Sequence, residues 1–152
     1  MAAAPLRFVD ADATESVLEW APVIARLRDA SISRAYLSNI WPPFYAHFHN
    51  SFATEATSPQ FLSFQMGLSK PDKAFFHAAL ERLQVPASEI VMIGDTYKND
   101  IRPAIDLGMR TIWVLHRPEK EREALVEVLN NAAPRPDVTL HSIAELQPEH
   151  LK

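Results

Sequence analysis

The amino-acid sequence predicts an α/β domain in which a doubly wound parallel sheet is flanked by helices. Residues 34–38, 90–93 and 111–115 form short apolar runs with β-branched or aromatic members and no regular polar face. Such runs are typical of parallel strands that helices cover on both sides. Helical segments alternate with these runs along the chain, which favours the doubly wound arrangement. Residues 137–140 predict a weaker strand at an edge of the sheet.

The helices are predicted from apolar residues that recur at three- and four-residue spacing. The first helix is expected to have Pro22 in its first turn, and the others are expected at residues 71–83, 100–107 and 119–129. Gly108 should follow the third helix as its C-terminal glycine, because glycine adopts the left-handed backbone that is common there.

Length and composition restrict the class of protein. At 152 residues the chain is expected to form a single domain, residues 1–152, with a core built from its 47% of apolar residues. The chain contains no cysteine, which excludes disulfides, thiolate metal sites and a cysteine nucleophile. The net charge of −4 and the lack of a long apolar run predict a cytoplasmic protein without nucleic-acid or membrane partners.

Polar residues with the chemistry of a phosphate site lie at the ends of the predicted elements. Ser38 and Asn39 end one strand, Lys70 precedes a helix, and Asp95 and Asp100 follow another strand. Ligands of doubly wound sheets bind at the carboxyl ends of the strands. A hydroxyl group and a lysine can hold phosphate oxygens, and a carboxylate suits Mg²⁺. Ser38 and Asn39 alone are equally well explained as a helix cap, and Lys70 alone is better explained as a surface residue. Asp95 or Asp100 alone could be a helix cap, so the combination carries the prediction.

The order of these residues resembles a known superfamily. The segments LSN at 37–39, SKPD at 69–72 and IGDT at 93–96, with ND at 99–100, are similar to motifs II, III and IV of the haloacid dehalogenase (HAD) superfamily. The resemblance implies a Rossmann-like core and an Mg²⁺-dependent phosphatase that acts on a small phosphorylated molecule through an aspartyl-phosphate.

The resemblance also implies the residue roles. Ser38, Asn39 and Lys70 match the phosphate-binding positions, and Lys70 counts as catalytic as well. Asp95 and Asp100 match the aspartates that bind or position Mg²⁺.

The superfamily further requires an aspartate nucleophile, followed two residues later by an aspartate acid/base and then Gly-Thr. Asp10 and Asp12, with Thr14, match this pattern after an apolar pair, and Asp10 would then also be a metal ligand. The first aspartate attacks phosphorus and the second protonates the leaving oxygen. Ala13 stands where the family has glycine, and Glu15 stands where it has an apolar residue.

Two interpretations of the N-terminal segment stay open. Either Asp10 and Asp12 are site residues, or residues 1–19 are the tail of a cap from a longer protein whose nucleophile lies upstream. No cap is recognisable after Asp12. In the HAD sheet the strand before the nucleophile lies at the centre, so a chain without it would expose two apolar strand edges. A compact chain therefore favours the first interpretation.

Three functions remain candidates: a phosphatase, a 2-haloacid dehalogenase, and a non-catalytic or truncated module that binds a phosphorylated ligand or a partner. The pair Asp95 and Asp100 favours the phosphatase over a metal-free dehalogenase. A receiver domain is disfavoured because Lys70 precedes the strand that leads to Asp95. A core without a cap suits a large substrate, or a homo-oligomer in which another subunit covers the site.

Two other segments have distinctive composition, one aromatic and one charged. Residues 41–48 include four aromatic residues: Trp41, Phe44, Tyr45 and Phe48. They are expected to pack around a helix or, if exposed, to form a partner or substrate-entry surface. His47 and His49 are expected to be surface or packing residues rather than metal ligands. The charged run 117–123 is expected to be a solvated face.

Overall fold

The computed structural model describes residues 7–9, 17–51 and 58–152, and these residues form a parallel sheet flanked by helices. The strands are β1 Arg7–Val9, β2 Arg34–Ser38, β3 Gln60–Leu62, β4 Val91–Gly94, β5 Arg110–Val114 and β6 Val138–Leu140. The α-helices are α1 Val17–Asp29, α2 Tyr45–Ser51, α3 Ser63–Met66, α4 Lys73–Leu83, α5 Arg102–Asp106 and α6 Arg122–Leu129. The predicted fold class is therefore confirmed.

The strand order is β3-β2-β1-β4-β5-β6, and all neighbours pair in parallel. β1 lies at the centre, where Phe8 is in register with Ala35 of β2 and with Met92 of β4. The chain reverses its direction of progress across the sheet between β1 and β4. The carboxyl ends of strands at such a switch point border the crevice in which doubly wound folds bind ligands.

Both faces of the sheet are buried, which explains why the central strands have no polar face. Val91 and Ile93 of β4 belong to the core that includes Leu27 of α1. Met92, which points the other way, belongs to the core that includes Phe75 and Phe76 of α4. Burial of successive residues on opposite faces is the expected pattern for strands covered by helices on both sides.

The first helix begins earlier than the sequence predicts, and the expected place of Pro22 is wrong. α1 starts at Val17, so Pro22 lies inside the helix rather than in its first turn. The reason is that Trp20, which is buried, continues the apolar stripe of Val23, Ile24 and Leu27 upstream. Burial of the tryptophan outweighs the hydrogen bond that proline forfeits.

The remaining elements agree with the sequence to within a few residues, apart from short ones. β2, β4, β5 and β6 lie where strands are predicted, and α4, α5 and α6 lie within the predicted helical segments. Gly108 follows α5 with a φ of 81°, as expected of a C-terminal glycine. β3 and α3 are absent from the prediction because segments of three and four residues leave almost no periodic signal. Among the described residues no helix is long and apolar enough to span a membrane.

Candidate active site

The predicted site residues lie at the carboxyl edge of the sheet. Ser38 is the last residue of β2 and is buried, and Asp95 follows the last residue of β4. Asp10 follows the last residue of β1 in the sequence, but Asp10 and Asp12 lie outside the described residues. The strands that end at these positions are neighbours in the order β2-β1-β4.

Lys70 and Asp100 form a buried ion pair. The Nζ atom of Lys70 lies 2.7 Å from Oδ1 of Asp100, and the exposed fractions of the two side chains are 2% and 0%. A buried charge is costly unless a partner of opposite charge compensates it. Lys70 is therefore not the solvated surface lysine that the residue type alone would suggest.

The loop that carries Lys70 is fastened to the end of β2. The backbone N–H of Lys70 donates to Oδ1 of Asn39 (2.8 Å), and Nδ2 of Asn39 donates to the backbone carbonyl of Lys70 (2.9 Å). This reciprocal pair fixes the backbone of Lys70 next to Ser38. The amide of Asn39 therefore connects the two segments predicted to bind phosphate.

Asp100 reaches the sheet through a close approach to Gly94. A Cβ atom added to Gly94 would lie 2.4 Å from Cβ of Asp100, so only glycine fits at this position. Residues Tyr97–Ile101 form a π-helical turn, and the backbone N–H of Asp100 donates to the carbonyl of Thr96 (2.8 Å). The N–H of Thr96 in turn donates to Oδ2 of Asp100 (3.0 Å). Such π-helical turns are frequent at functional sites.

Asp95 is held by groups from β5 and from the loop that follows it. Its Oδ2 atom lies 2.6 Å from a guanidinium nitrogen of Arg117 and 3.8 Å from Nε2 of His116. The indole N–H of Trp113 donates to the backbone carbonyl of Asp95 (3.1 Å). Within the described part of the chain, Oδ1 of Asp95 accepts a single, long hydrogen bond, which comes from the Thr96 hydroxyl (3.3 Å). The Arg117 contact leaves this second carboxylate oxygen available to a ligand.

Arg117 and Glu121 correct the expectation that residues 117–123 form a solvated face. The backbone N–H of Tyr97 donates to Oε2 of Glu121 (2.8 Å), so both residues contact the loop after β4. Burial raises the pKa of Glu121. The Tyr97 hydrogen bond and Arg117 oppose that rise in pKa, whereas the charges of Asp95 and Asp100 reinforce it. The sequence signal for these contacts is weak, because a charge run is usually solvated.

The described residues offer part of a magnesium site. No cluster of three or more His, Asp or Glu side chains suited to a metal occurs within residues 17–51 and 58–152. Mg²⁺ nevertheless often binds through one or two carboxylates, and Oδ1 of Asp95 is a hard oxygen donor at the crevice. Both oxygens of Asp100 face Lys70 and the Thr96 N–H. The carboxylate of Asp95 has the donor chemistry that Mg²⁺ prefers, and Asp10, the other predicted ligand at this edge, lies outside the described residues.

Comparisons with known proteins identify the family of this chain. The model of a HAD-hydrolase-like family matches residues 67–146, more than half of the chain. The chain is 39% identical over 75 residues to the glyceraldehyde 3-phosphate phosphatase of Methanocaldococcus jannaschii, a match that covers 49% of this chain and 31% of that protein. It is 31% identical over 87 residues to a pyrimidine 5′-nucleotidase of Escherichia coli, covering 57% of this chain and 35% of that protein.

A solved structure gives the same family over more of the chain. The 2-haloacid dehalogenase of Pseudomonas syringae pv. tomato superposes with a TM-score of 0.60 and 25% identity, over 88% of this chain and 51% of that one. The chain thus spans about a third of the length of the curated relatives it matches, and about half of this solved one. From the family match and the geometry at the strand ends, the chain belongs to the haloacid-dehalogenase-like hydrolases.

Proposed function

We propose that this chain is a phosphatase that hydrolyses phosphate monoesters with the help of Mg²⁺. The buried pair of Lys70 and Asp100, fastened by Asn39 to the end of β2, is the observation that carries the proposal. A lysine kept from solvent and fixed at a crevice is suited to an anion, because a low local dielectric strengthens its attraction to phosphate. Curated relatives of the matched region are phosphatases, which supports the same chemistry.

The central position of β1 supports Asp10 as the nucleophile. β1 pairs with both β2 and β4, so its carboxyl end at Val9 lies between the strand that ends at Ser38 and the strand that Asp95 follows. This arrangement also favours the interpretation in which residues 1–19 belong to the core domain rather than to the tail of a cap. Asp10 and Asp12 remain predictions, since they lie outside the described residues.

The proposed reaction has two steps. A carboxylate oxygen of Asp10 attacks phosphorus, the bond from phosphorus to the ester oxygen breaks, and Asp12 gives its proton to the leaving alcohol. Water then attacks phosphorus, Asp12 takes its proton, and inorganic phosphate leaves as the Asp10 carboxylate is restored. Ser38 and Lys70 hold the phosphate oxygens throughout, and Asn39 fixes the backbone between them.

Mg²⁺, when bound, would neutralise phosphate charge. Asp95 and Asp10 would hold it, and Asp100 completes the proposed set. The contacts of Asp100 to Lys70 and Thr96 favour a positioning role within that set. The short contact of Arg117 to Oδ2 would fix the orientation of the Asp95 carboxylate.

We extend the proposal to a small phosphorylated substrate, a cytoplasmic location and no nucleic-acid partner, with a homo-oligomer as an open arrangement. The net charge of −4 supports the absence of a nucleic-acid partner.

The test is hydrolysis of p-nitrophenyl phosphate with and without Mg²⁺. Asp10→Asn and Asp95→Asn should each lower kcat/KM at least about 100-fold. Asp29→Asn is the matched control, because Asp29 ends α1 and its side chain is 76% exposed. Circular dichroism establishes that each variant is folded. Lack of turnover in folded wild-type protein would instead favour the non-catalytic module.

The second candidate is a 2-haloacid dehalogenase, which the structural similarity to such an enzyme favours. Release of chloride from 2-chloropropionate, unaffected by chelation of Mg²⁺, would support this candidate. The phosphatase proposal predicts no chloride release.

A further inference from the structure

An open groove of about 300 Å³ lies beside the proposed phosphate site. Its walls come from two segments, with Ile40, Trp41 and Pro42 on one and Phe64, Gly67 and Leu68 on the other. We call this feature the Trp41 groove. The residues that line it, including Ser63 and Ser69, are all uncharged.

The Trp41 groove exposes aromatic side chains to solvent. Trp41 is 75% exposed, whereas the other tryptophans of the chain, Trp20 and Trp113, are 5% and 1% exposed. Phe64 in the opposite wall and the nearby Phe44 are also exposed. Of the four aromatic residues in segment 41–48, Phe48 is fully buried, as expected for helix packing. Trp41 and Phe44 are exposed, so the alternative of a partner or substrate-entry surface applies to these two. An exposed aromatic cluster is costly in water and commonly marks a binding surface.

Hydrogen bonds fix the two walls relative to each other. The N–H of Ile40 donates to the hydroxyl oxygen of Ser63 (3.0 Å), and that hydroxyl donates to the carbonyl of Ile40 (3.1 Å). The reciprocal pair between Asn39 and Lys70 fastens the same two segments at the residue before Ile40 and the residue after Ser69. A groove formed before its ligand arrives loses less conformational entropy on binding.

The position of the groove indicates which kind of ligand it would bind. Ile40 follows Asn39, and Ser69 precedes Lys70, so each wall continues directly from a segment of the proposed phosphate site. A phosphate held by Lys70 would therefore lie next to the groove, with the groove within reach of its ester group. This continuity favours part of the substrate over a partner protein.

The chemistry of the groove walls further restricts the type of ligand that would bind. Among the residues that the structure describes, no charged side chain lines the groove, so a carboxylate or a second phosphate would lose its hydration without a partner there. An exposed indole face attracts planar rings by stacking. We propose that the Trp41 groove binds a neutral, planar aromatic leaving group of the phosphate ester, and that Trp41 is the residue that selects it. This inference rests on the proposed phosphatase function.

The first test compares two substrates in matched variants. Trp41→Ala should lower kcat/KM for phenyl phosphate about tenfold, the size expected for loss of one stacking contact, and leave ethyl phosphate within about twofold. Trp41→Phe should retain most of the activity towards phenyl phosphate. Leu129→Ala removes an exposed apolar side chain from α6 instead and should change neither substrate. An equal effect of Trp41→Ala on both substrates, or no effect on either, would overturn the inference.

The second test does not depend on turnover. Because Trp41 is the exposed tryptophan, acrylamide should quench its fluorescence, and bound phenylphosphonate should protect it. Methylphosphonate should not protect it, and Trp41→Phe should abolish the protected signal. If no ester is hydrolysed, the phosphatase proposal fails, but this titration still tests whether the groove binds an aromatic ring. Tryptophan emission that is already protected in the free protein, or that phenylphosphonate leaves unprotected, would overturn the inference.

Discussion

The ion pair between Lys70 and Asp100 is the least solvated pair of charges among the described residues. Its two side chains are almost fully buried, so the desolvation cost of each charge is offset by the other and by the Thr96 N–H. Removal of a single partner leaves an isolated buried charge, which typically costs about 3–5 kcal/mol. Replacement of both partners by neutral groups avoids that cost.

The stability of charge-removal variants should therefore be non-additive. Lys70→Met should lower the free energy of unfolding by about 3 kcal/mol, because Asp100 then lacks its cation. The double variant Lys70→Met with Asp100→Asn should recover much of that loss. Urea unfolding at pH 7 of the wild type, Lys70→Met, Asp100→Asn and the double variant measures the departure from additivity. Additive losses in the double variant would contradict the account of the pair as mutually compensating charges.

Glu121 provides a pH-dependent test at the same scale. Its pKa in the folded protein is raised above its usual 4.5 by burial, so folding favours the protonated form. The contribution of this group to stability is fully present below pH 4.5 and is lost as the pH rises through the folded pKa. Glu121→Gln keeps an oxygen that can accept from the Tyr97 N–H but has no charge to desolvate.

The stability of Glu121→Gln relative to wild type should consequently rise as the pH increases from 4.5 to 8. Urea unfolding at several pH values measures the difference. Glu123→Gln, an exposed neighbour in α6, is the control and should show no such trend. A relative stability that falls with pH would mean that the carboxylate is stabilised rather than penalised by its surroundings.

At the scale of elements, the loop between β4 and α5 organises the site. The π-helical turn Tyr97–Ile101 brings Asp100 back against Gly94. Trp113 and Glu121 fix the first part of the loop through the backbone of Asp95 and Tyr97. The Tyr97 hydroxyl also donates to the carbonyl of Pro134 (2.6 Å). Groups from several elements thus determine where Asp95 and Asp100 lie.

The close approach at Gly94 makes this loop sensitive to one methyl group. Gly94→Ala would place Cβ 2.4 Å from Cβ of Asp100, so the carboxylate must move away from Lys70. We expect a loss of about 1–3 kcal/mol in stability and a loss of most phosphatase activity.

Gly108→Ala provides the comparison for that variant. Gly108 has a φ of 81° but open space where Cβ would lie, so only backbone strain of about 1 kcal/mol is expected, with activity retained. Thermal unfolding and p-nitrophenyl phosphate hydrolysis measure both variants. Equal activity in the two would show that the Gly94 contact does not position the site.

At the scale of the whole molecule, the sheet and its strand ends are predictable because their causes are local. β4 and β5 are continuous apolar runs, and the residues after them have side chains with distinctive chemistry. β3 is not predicted, because three residues are too few to show a hydrophobic periodicity. Its conformation is instead stabilised by pairing with β2. The ion pair of Arg117 with Asp95 cannot be predicted from the sequence, because 22 residues separate the partners and only the fold brings them together.

The central position of β1 in the sheet links the fold to the proposed nucleophile. A three-residue strand has little stability of its own, but pairing on both sides fixes its carboxyl end between β2 and β4. We therefore propose that Asp10, the next residue in the sequence, receives the phosphoryl group of the substrate.

Trapping of that covalent intermediate tests the claim most directly. The protein is mixed with phosphate-radiolabelled phenyl phosphate and Mg²⁺, quenched in acid within milliseconds, and analysed for protein-bound label by peptide mapping. We expect label on the peptide that contains Asp10, and we expect it to be lost in Asp10→Asn and retained in Asp29→Asn. Label on another residue, or undiminished label in Asp10→Asn, would contradict it.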